Sequence, residues 1–327
     1  MTFRITAASG IATLAVVGLA ALTACSSSSS SSSTSAAGST ASASSSSSGS
    51  NPLSGGSGGS GTVVIGSANF PENEVLAEVY ALALQAKGVK VSTKLNIGAR
   101  EVYYPQVEKG AIDIIPEYNG TLLTVEADPT STAKTTTAVD AALAEKLPST
   151  LTVLNSAPAQ DSDSITVTQA TANKYHLKSI ADLAPYASQM VLGGPPEFKT
   201  RTDGIAGLKA NYGLTFKSFD PLDTSGPITL SALTSGKVQA ADVFTTTPQI
   251  TTDKLVSLSD PKFNFAAQNV IPLVYKPALT STISSALNAV SAKLTTAALL
   301  ELDTKVITDK ENYTTAAQDW LQSVGLS

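Results

Sequence analysis

Little in this sequence could perform covalent chemistry. It holds one histidine, His176 in "ANKYHLKS", and one cysteine, Cys25, so neither a zinc site nor a Cys–His nucleophile can be assembled. His176 reads as an exposed helix-end residue. Asp161 and Asp163 in "QDSDS" are spaced as acids that could trade protons, but the plainer reading is a pair of solvated loop carboxylates. Gly55 to Gly59 fits the G-x-S-x-G elbow and Gly56 to Gly61 fits G-x-G-x-x-G. Both precede the first strand instead of following one, so they are linker composition. No catalytic residue, metal or cofactor is expected, and what remains is recognition chemistry. In "DIIPEYNGTLL" an apolar run stops at Pro116 and Tyr118 sits between an acid and a turn. Taken alone, that is a turn tyrosine packing its ring on the surface.

The chain begins "MTFRITAASGIATLAVVGLAALTAC", with Arg4 ahead of an apolar stretch too short and too rich in small residues for a membrane span. Residues 1–24 therefore read as an export signal. Cys25 has no partner for a disulfide and no core around it, because residues 25–61 are a Ser/Gly/Ala tract that reads as a disordered tether. Leu22-Thr23-Ala24-Cys25 resembles the bacterial lipobox. The resemblance implies cleavage before Cys25, acylation of its thiol and new amino terminus, and a lipid anchor on the extracytoplasmic face of the cell membrane.

From about residue 62 onward about 265 residues remain, enough for two domains. Lys and Arg number 21 against 26 Asp and Glu, with no basic stripe interleaved with aromatics, so nucleic acid is not an expected partner. "TVVIGS" is a β-branched run feeding a helix, "PENEVLAEVYALALQAKG", that starts at Pro71, carries Glu72 and Glu74 in its first turn and ends before Gly88. "VKVSTKLNI", "AREVYYPQVEKG" and "AIDIIPEY" continue a βαβαβ alternation. The same grammar recurs in "QMVLGG", "RTDGIAGLKANYG", "TFKSFD", "ITLSALTSGK" and "VQAADVF". Two α/β lobes with parallel sheets are predicted. "SITVT" (164–168) leaves the first lobe and "NVIPLVY" (269–275) returns to it, so lobe one comprises residues 62–163 and 269–327, and lobe two residues 164–268. The C-terminal helices, with Trp320 as core, pack back on lobe one. Ligands of such sheets sit at the carboxyl ends of strands, here Ser67 to Phe70, Tyr118 to Thr121, Asp161 to Ser164 and Phe244-Thr245. Tyr103 and Tyr104 are adjacent on a helix, so at most one faces the cleft.

Four segments, "VIGSANFPENEVLAEVYALAL", "GAREVYYPQVEKGAIDIIPEYNGT", "EFKTRTDGIAGLKANYG" and "LSDPKFNFAAQNVIP", resemble the substrate-binding proteins of glycine betaine/choline/osmoprotectant ABC transporters, over about Val63 to Leu326. The resemblance implies a two-lobed, type II-like periplasmic-binding-protein clamshell that captures a small solute and hands it to an ABC permease and its ATPase, as a monomer and without chemistry of its own. It implies that Tyr118 walls an aromatic cage for a quaternary ammonium, whose lost hydration ring faces replace, that Thr121 touches the ligand, and that Arg201 holds a ligand carboxylate. Ser67, Asn69 and Phe70 belong to the same site. By alignment the relatives' other cage tyrosines fall at Ser164, Phe244 and Gln268, and Ala68 stands where a lysine or similar polar residue is common. With two rings replaced, weak or no glycine betaine binding is expected, and Ser164 and Gln268 would serve a hydroxylated or amide-bearing ligand. The rival readings are a surface lipoprotein binding a non-quaternary, hydroxylated or aromatic ligand, and an adhesive or structural one without transport.

Overall fold

The computed structural model describes residues 61–327. The expectations for the leader, for Cys25 and for the tether up to residue 60 lie outside the described residues. Within them, β1 (Val63–Gly66) leads into α1 (Pro71–Gln85), which has Pro71 in its first turn beside Glu72 and Glu74. Acids at that end are favoured by the unpaired N–H groups there. Gly88 follows at φ 78°, the left-handed conformation that ends the helix without a Cβ penalty. Next come β2 (Val91–Lys94), α2 (Arg100–Glu108), β3 (Ile114–Tyr118) and β4 (Leu151–Val153). The second lobe contains β5 (Asp163–Thr168), β6 (Val191–Gly194), β7 (Ser218–Pro221), β8 (Ala240–Phe244) and β9 (Leu255–Ser257), and β10 (Val270–Tyr275) lies back in the first sheet.

The sheet orders are β2-β1-β3-β10-β4 and β7-β6-β8-β5-β9. Neither is the all-parallel sheet that the alternation predicts. β1 runs parallel to β2 and β3, and β6 to β7 and β8, but β10 is antiparallel to β3 and β4, and β5 is antiparallel to β8 and β9. The physical reason is connectivity. Strands joined by a helical crossover within one lobe come out parallel, whereas β5 and β10 arrive from the opposite lobe and enter running the other way.

Helices cover both faces of the first sheet, so its strands read as continuous apolar runs instead of alternating ones. Ile114 of β3 packs with α1, Leu287, Trp320 and Leu321 on one face, while its neighbour Ile115 packs with Tyr103, Tyr104 and Leu122 on the other. In lobe two, Ile165, Leu192 and Ala240 pack with Phe198 and Leu208, and Ala241 and Val243 pack with Leu230 and Leu233. Trp320 is core, as expected, and His176 is an exposed helix C-cap at φ 55°.

Candidate ligand-binding cleft

The loop between β1 and α1 is fixed from below. Asn73 accepts from the Ala68 N–H at 2.7 Å and donates to the Pro116 carbonyl at 3.0 Å, tying the loop to the end of β3. Ser67 donates to the Ala68 carbonyl at 2.9 Å and accepts from the Asn96 N–H at 2.8 Å. These bonds aim Asn69 and Phe70 outward from the sheet, and both line a cavity that opens to solvent between the lobes. Tyr118 reaches the same cavity from the end of β3, and Phe244 from the end of β8.

The rings touch one another. Phe70 meets Phe244 edge-on with centroids 5.2 Å apart, and its centroid is 6.0 Å from that of Tyr118. Such spacings are ring-to-ring contact, so the three make one continuous wall. Tyr103 adds a ring from α2, and its hydroxyl donates to Glu117 at 2.7 Å. Tyr104 is absent from the cavity lining.

Charge is concentrated around this wall. Arg100 forks onto Glu117 at 2.8–3.2 Å, a pair with 7% and 0% exposure. Asp161, in the crossing between the lobes, accepts from the Thr246 N–H at 3.1 Å and the Thr245 hydroxyl at 3.2 Å. Burial and then the nearby Glu72 charge push its carboxyl well above the usual range. Asp163 opens β5 and stands opposite Phe244 in register, and both line the cavity. Burial, then Asp203, raise it to about 6. Asp161 and Asp163 are thus cleft acids and not the solvated loop carboxylates expected, because the crossing runs through the closed cleft and not over the surface.

Lobe-to-lobe bonds close the cleft. Arg201 donates through Nε and Nη2 to Glu101 of α2 at 3.1 and 3.2 Å, Thr202 donates to the Thr124 carbonyl at 3.2 Å, and Thr246 donates to Glu72 Oε2 at 2.6 Å. Tyr118 donates to the other oxygen of Glu72. One carboxylate at the start of α1 therefore joins the ring wall to lobe two.

Of the residues singled out from sequence, Asn69, Phe70, Tyr118, Thr121, Arg201, Phe244 and Gln268 come together at the cavity. Ser164 and Ser67 do not. Successive strand residues face opposite sides, so with Asp163 toward the cavity Ser164 points away and donates to the Val243 carbonyl at 2.7 Å. Gln268 reaches the lining, but its amide is engaged: Oε1 accepts from the Thr121 N–H at 3.0 Å and Nε2 donates to the Thr121 hydroxyl. The free hydrogen-bonding pair assigned to Ser164 and Gln268 is thus replaced by one internal tether and one acid, Asp163. Arg100, Glu197 and Thr224 line the cavity without having been singled out from the sequence, whereas Asp161 and Asp163 belong to a strand-end segment expected at the cleft and Tyr103 is the one of the two adjacent tyrosines that faces it. Arg100 and Tyr103 stood in a quoted motif, and strand phase was the one signal that could have selected Asp163 over Ser164.

A family model described as the substrate binding domain of ABC-type glycine betaine transport system matches residues 61–323. The glycine betaine-binding protein YehZ of Escherichia coli is 27% identical over 276 residues, 80% of this chain and 90% of that protein. The ergothioneine transport permease/ergothioneine binding protein EgtU of Helicobacter pylori is 24% identical over 268 residues, 81% of this chain, which spans only 48% of that longer protein. Among solved structures, apo YehZ superposes with a TM-score of 0.59 at 26% identity, covering 82% of this chain and all of that one. A glycine betaine/carnitine/choline ABC transporter structure superposes with a TM-score of 0.64 at 22% identity, covering 81% and 99%. The two-lobed periplasmic-binding fold is common to them.

Proposed function

Because the chain belongs to the family of substrate-binding domains of ABC-type glycine betaine transport systems, we propose that its cleft takes a small organic zwitterion, with the positive end against the wall of Phe70, Tyr118 and Phe244 and the carboxylate on Arg201. Family members are extracytoplasmic solute-binding components that work with an ABC permease. The observation that carries the ligand reading is the convergence of that ring wall, Asp161, Asp163 and Arg201 from both lobes on one cavity. Ring faces and carboxylates both favour a cation, and a guanidinium fork suits a carboxylate. Glu101 occupies the fork in this structure, and a ligand carboxylate would take its place.

On this reading residues 62–163 with 269–327 form the lobe that holds Phe70 and Tyr118, residues 164–268 bring Phe244 and close over them, and the protein acts as a monomer that does no chemistry on its solute. Cys25 carries the lipid that keeps it at the membrane. The quaternary amines in the relatives' names are the first compounds to try, with glycine betaine expected to bind weakly, since Asp163 stands where the alignment sought a ring.

Thermal denaturation across betaines, choline, carnitine and amino acids tests the proposal. A true ligand at a hundred times its dissociation constant adds about 2.7 kcal/mol of stability, and Arg201→Ala should weaken a carboxylate-bearing ligand at least about tenfold while sparing its carboxamide analogue. If no such compound stabilises the protein, or Arg201→Ala weakens both alike, the reading fails.

A further inference from the structure

Asp163 lines the cavity. Its one hydrogen-bond partner among the described residues is the carboxyl of Asp242, which burial and then the Asp163 charge push well above the usual range, and no N–H or hydroxyl group donates to it. Nor do the arginines at the site supply one, since Arg100 gives Nε and Nη2 to Glu117 and Arg201 gives the same atoms to Glu101. Asp242 lies two residues before Phe244 on β8 and so on the same face of the sheet. It is 1% exposed, and its Oδ1 has no partner. Asp203, also buried, lies in the same charge cluster. This side of the cleft is therefore rich in acceptors and short of donors.

Fully methylated ammonium ions do not remedy that. They have no N–H, so their attraction to a carboxylate is Coulombic alone, and when the lobes close and water leaves, the oxygens of Asp163 would face methyl groups with their remaining lone pairs unmet. A buried acceptor without a donor is costly. Such an ion prefers ring faces on several sides, and here Phe70, Phe244 and Tyr118 lie against one another as a single wall. A cation that keeps hydrogens on nitrogen can rest one face on the wall and donate from the other, making the short charge-assisted bonds that carboxylates form with N–H cations.

Resting on the solute-receptor reading above, we propose that the positive end of the ligand is a nitrogen that still bears hydrogen, an alkylammonium, guanidinium or imidazolium group, seated on Phe244 and donating to Asp163. Specificity then lies in one cleft acid beside the rings, which selects against complete methylation.

The test is titration calorimetry with matched pairs that differ only in methylation: glycine with glycine betaine, 4-aminobutyrate with its trimethyl form, ethanolamine with choline, and histidine with its trimethyl betaine. In at least one pair the N–H member should bind at least about tenfold more tightly, and Asp163→Asn should erase or invert that ranking. If the quaternary member is equal or tighter in every pair that binds, the inference is overturned and the receptor reading stands. Should no member of any pair bind, both are overturned. A wild-type preference for N–H that survives unchanged in Asp163→Asn would remove Asp163 from the role. The wild-type ranking is decisive even if that variant folds poorly, and Asp163→Glu, which keeps the charge, should retain the order.

Discussion

Glu72 spends both carboxylate oxygens on the cleft, one on Tyr118 and one on Thr246 of the other lobe, while Asp303 lies against it from the C-terminal helices. Two buried acids in contact cannot both ionise cheaply, and they share a proton. Burial raises both, with Asp303 reaching about 8. The consequence for stability has a definite sign. Between the ordinary carboxyl value and about 8 the folded ligand-free protein holds a proton that the unfolded chain has released, so stability falls as pH rises through that window. One such group changes stability by at most about 1.4 kcal/mol per pH unit. Urea denaturation of the ligand-free protein should therefore show declining stability from about pH 5 to pH 8. Asp303→Asn, which can donate to Glu72 at any pH, should flatten the decline relative to wild type. Parallel profiles for the two proteins would show that Asp303 holds no proton in the folded state.

At the scale of elements, the turn Tyr118 to Thr121 does more than present a ring. Asn119 exchanges backbone and side-chain bonds with Asn269, its N–H donating to the Asn269 carbonyl at 3.0 Å and its Oδ1 accepting from the Asn269 N–H at 2.8 Å. Thr121 takes both ends of the Gln268 amide. Gly120 lies between them, and a Cβ there would stand 2.2 Å from the Ala267 carbonyl oxygen. The glycine is needed for space, because the returning chain presses against it. Gly120→Ala should destabilise the protein by about 1–3 kcal/mol, read by denaturant unfolding, and an unaltered midpoint would mean that the chain at 266–268 can step aside. The sequence made this turn visible as punctuation after an apolar run, and the helices and strands of both lobes were legible from period and capping residues. What it concealed was direction and phase. The antiparallel entry of β5 and β10 depends on contacts far apart in the chain. The choice between Asp163 and Ser164 depends on which face of a strand the other lobe covers, and a one-residue shift exchanges every side chain.

For the whole molecule, the bonds that join the lobes away from the crossings are, among the described residues, the Arg201 fork on Glu101, Thr202 on Thr124 and Thr246 on Glu72. Of these the Arg201–Glu101 ion pair is partly exposed and contributes modestly, which suits a receptor that must reopen. The lipid anchor proposed at Cys25 is tested separately. Cys25→Ala should shift the protein from the detergent phase to the aqueous phase on partitioning, and an unchanged detergent fraction would exclude acylation at Cys25. The interleaved strand order has a further consequence, in time. β10 lies between β3 and β4 at the heart of the first sheet, yet it is made after every strand of the second. While the chain is synthesised from its amino terminus, the earlier half of lobe one exists with the edge of β3 bare. Lobe two is a continuous stretch and can finish first. The ring wall that greets the solute belongs mostly to the lobe completed last, and the chain must carry an unpaired strand edge until Tyr275 has emerged.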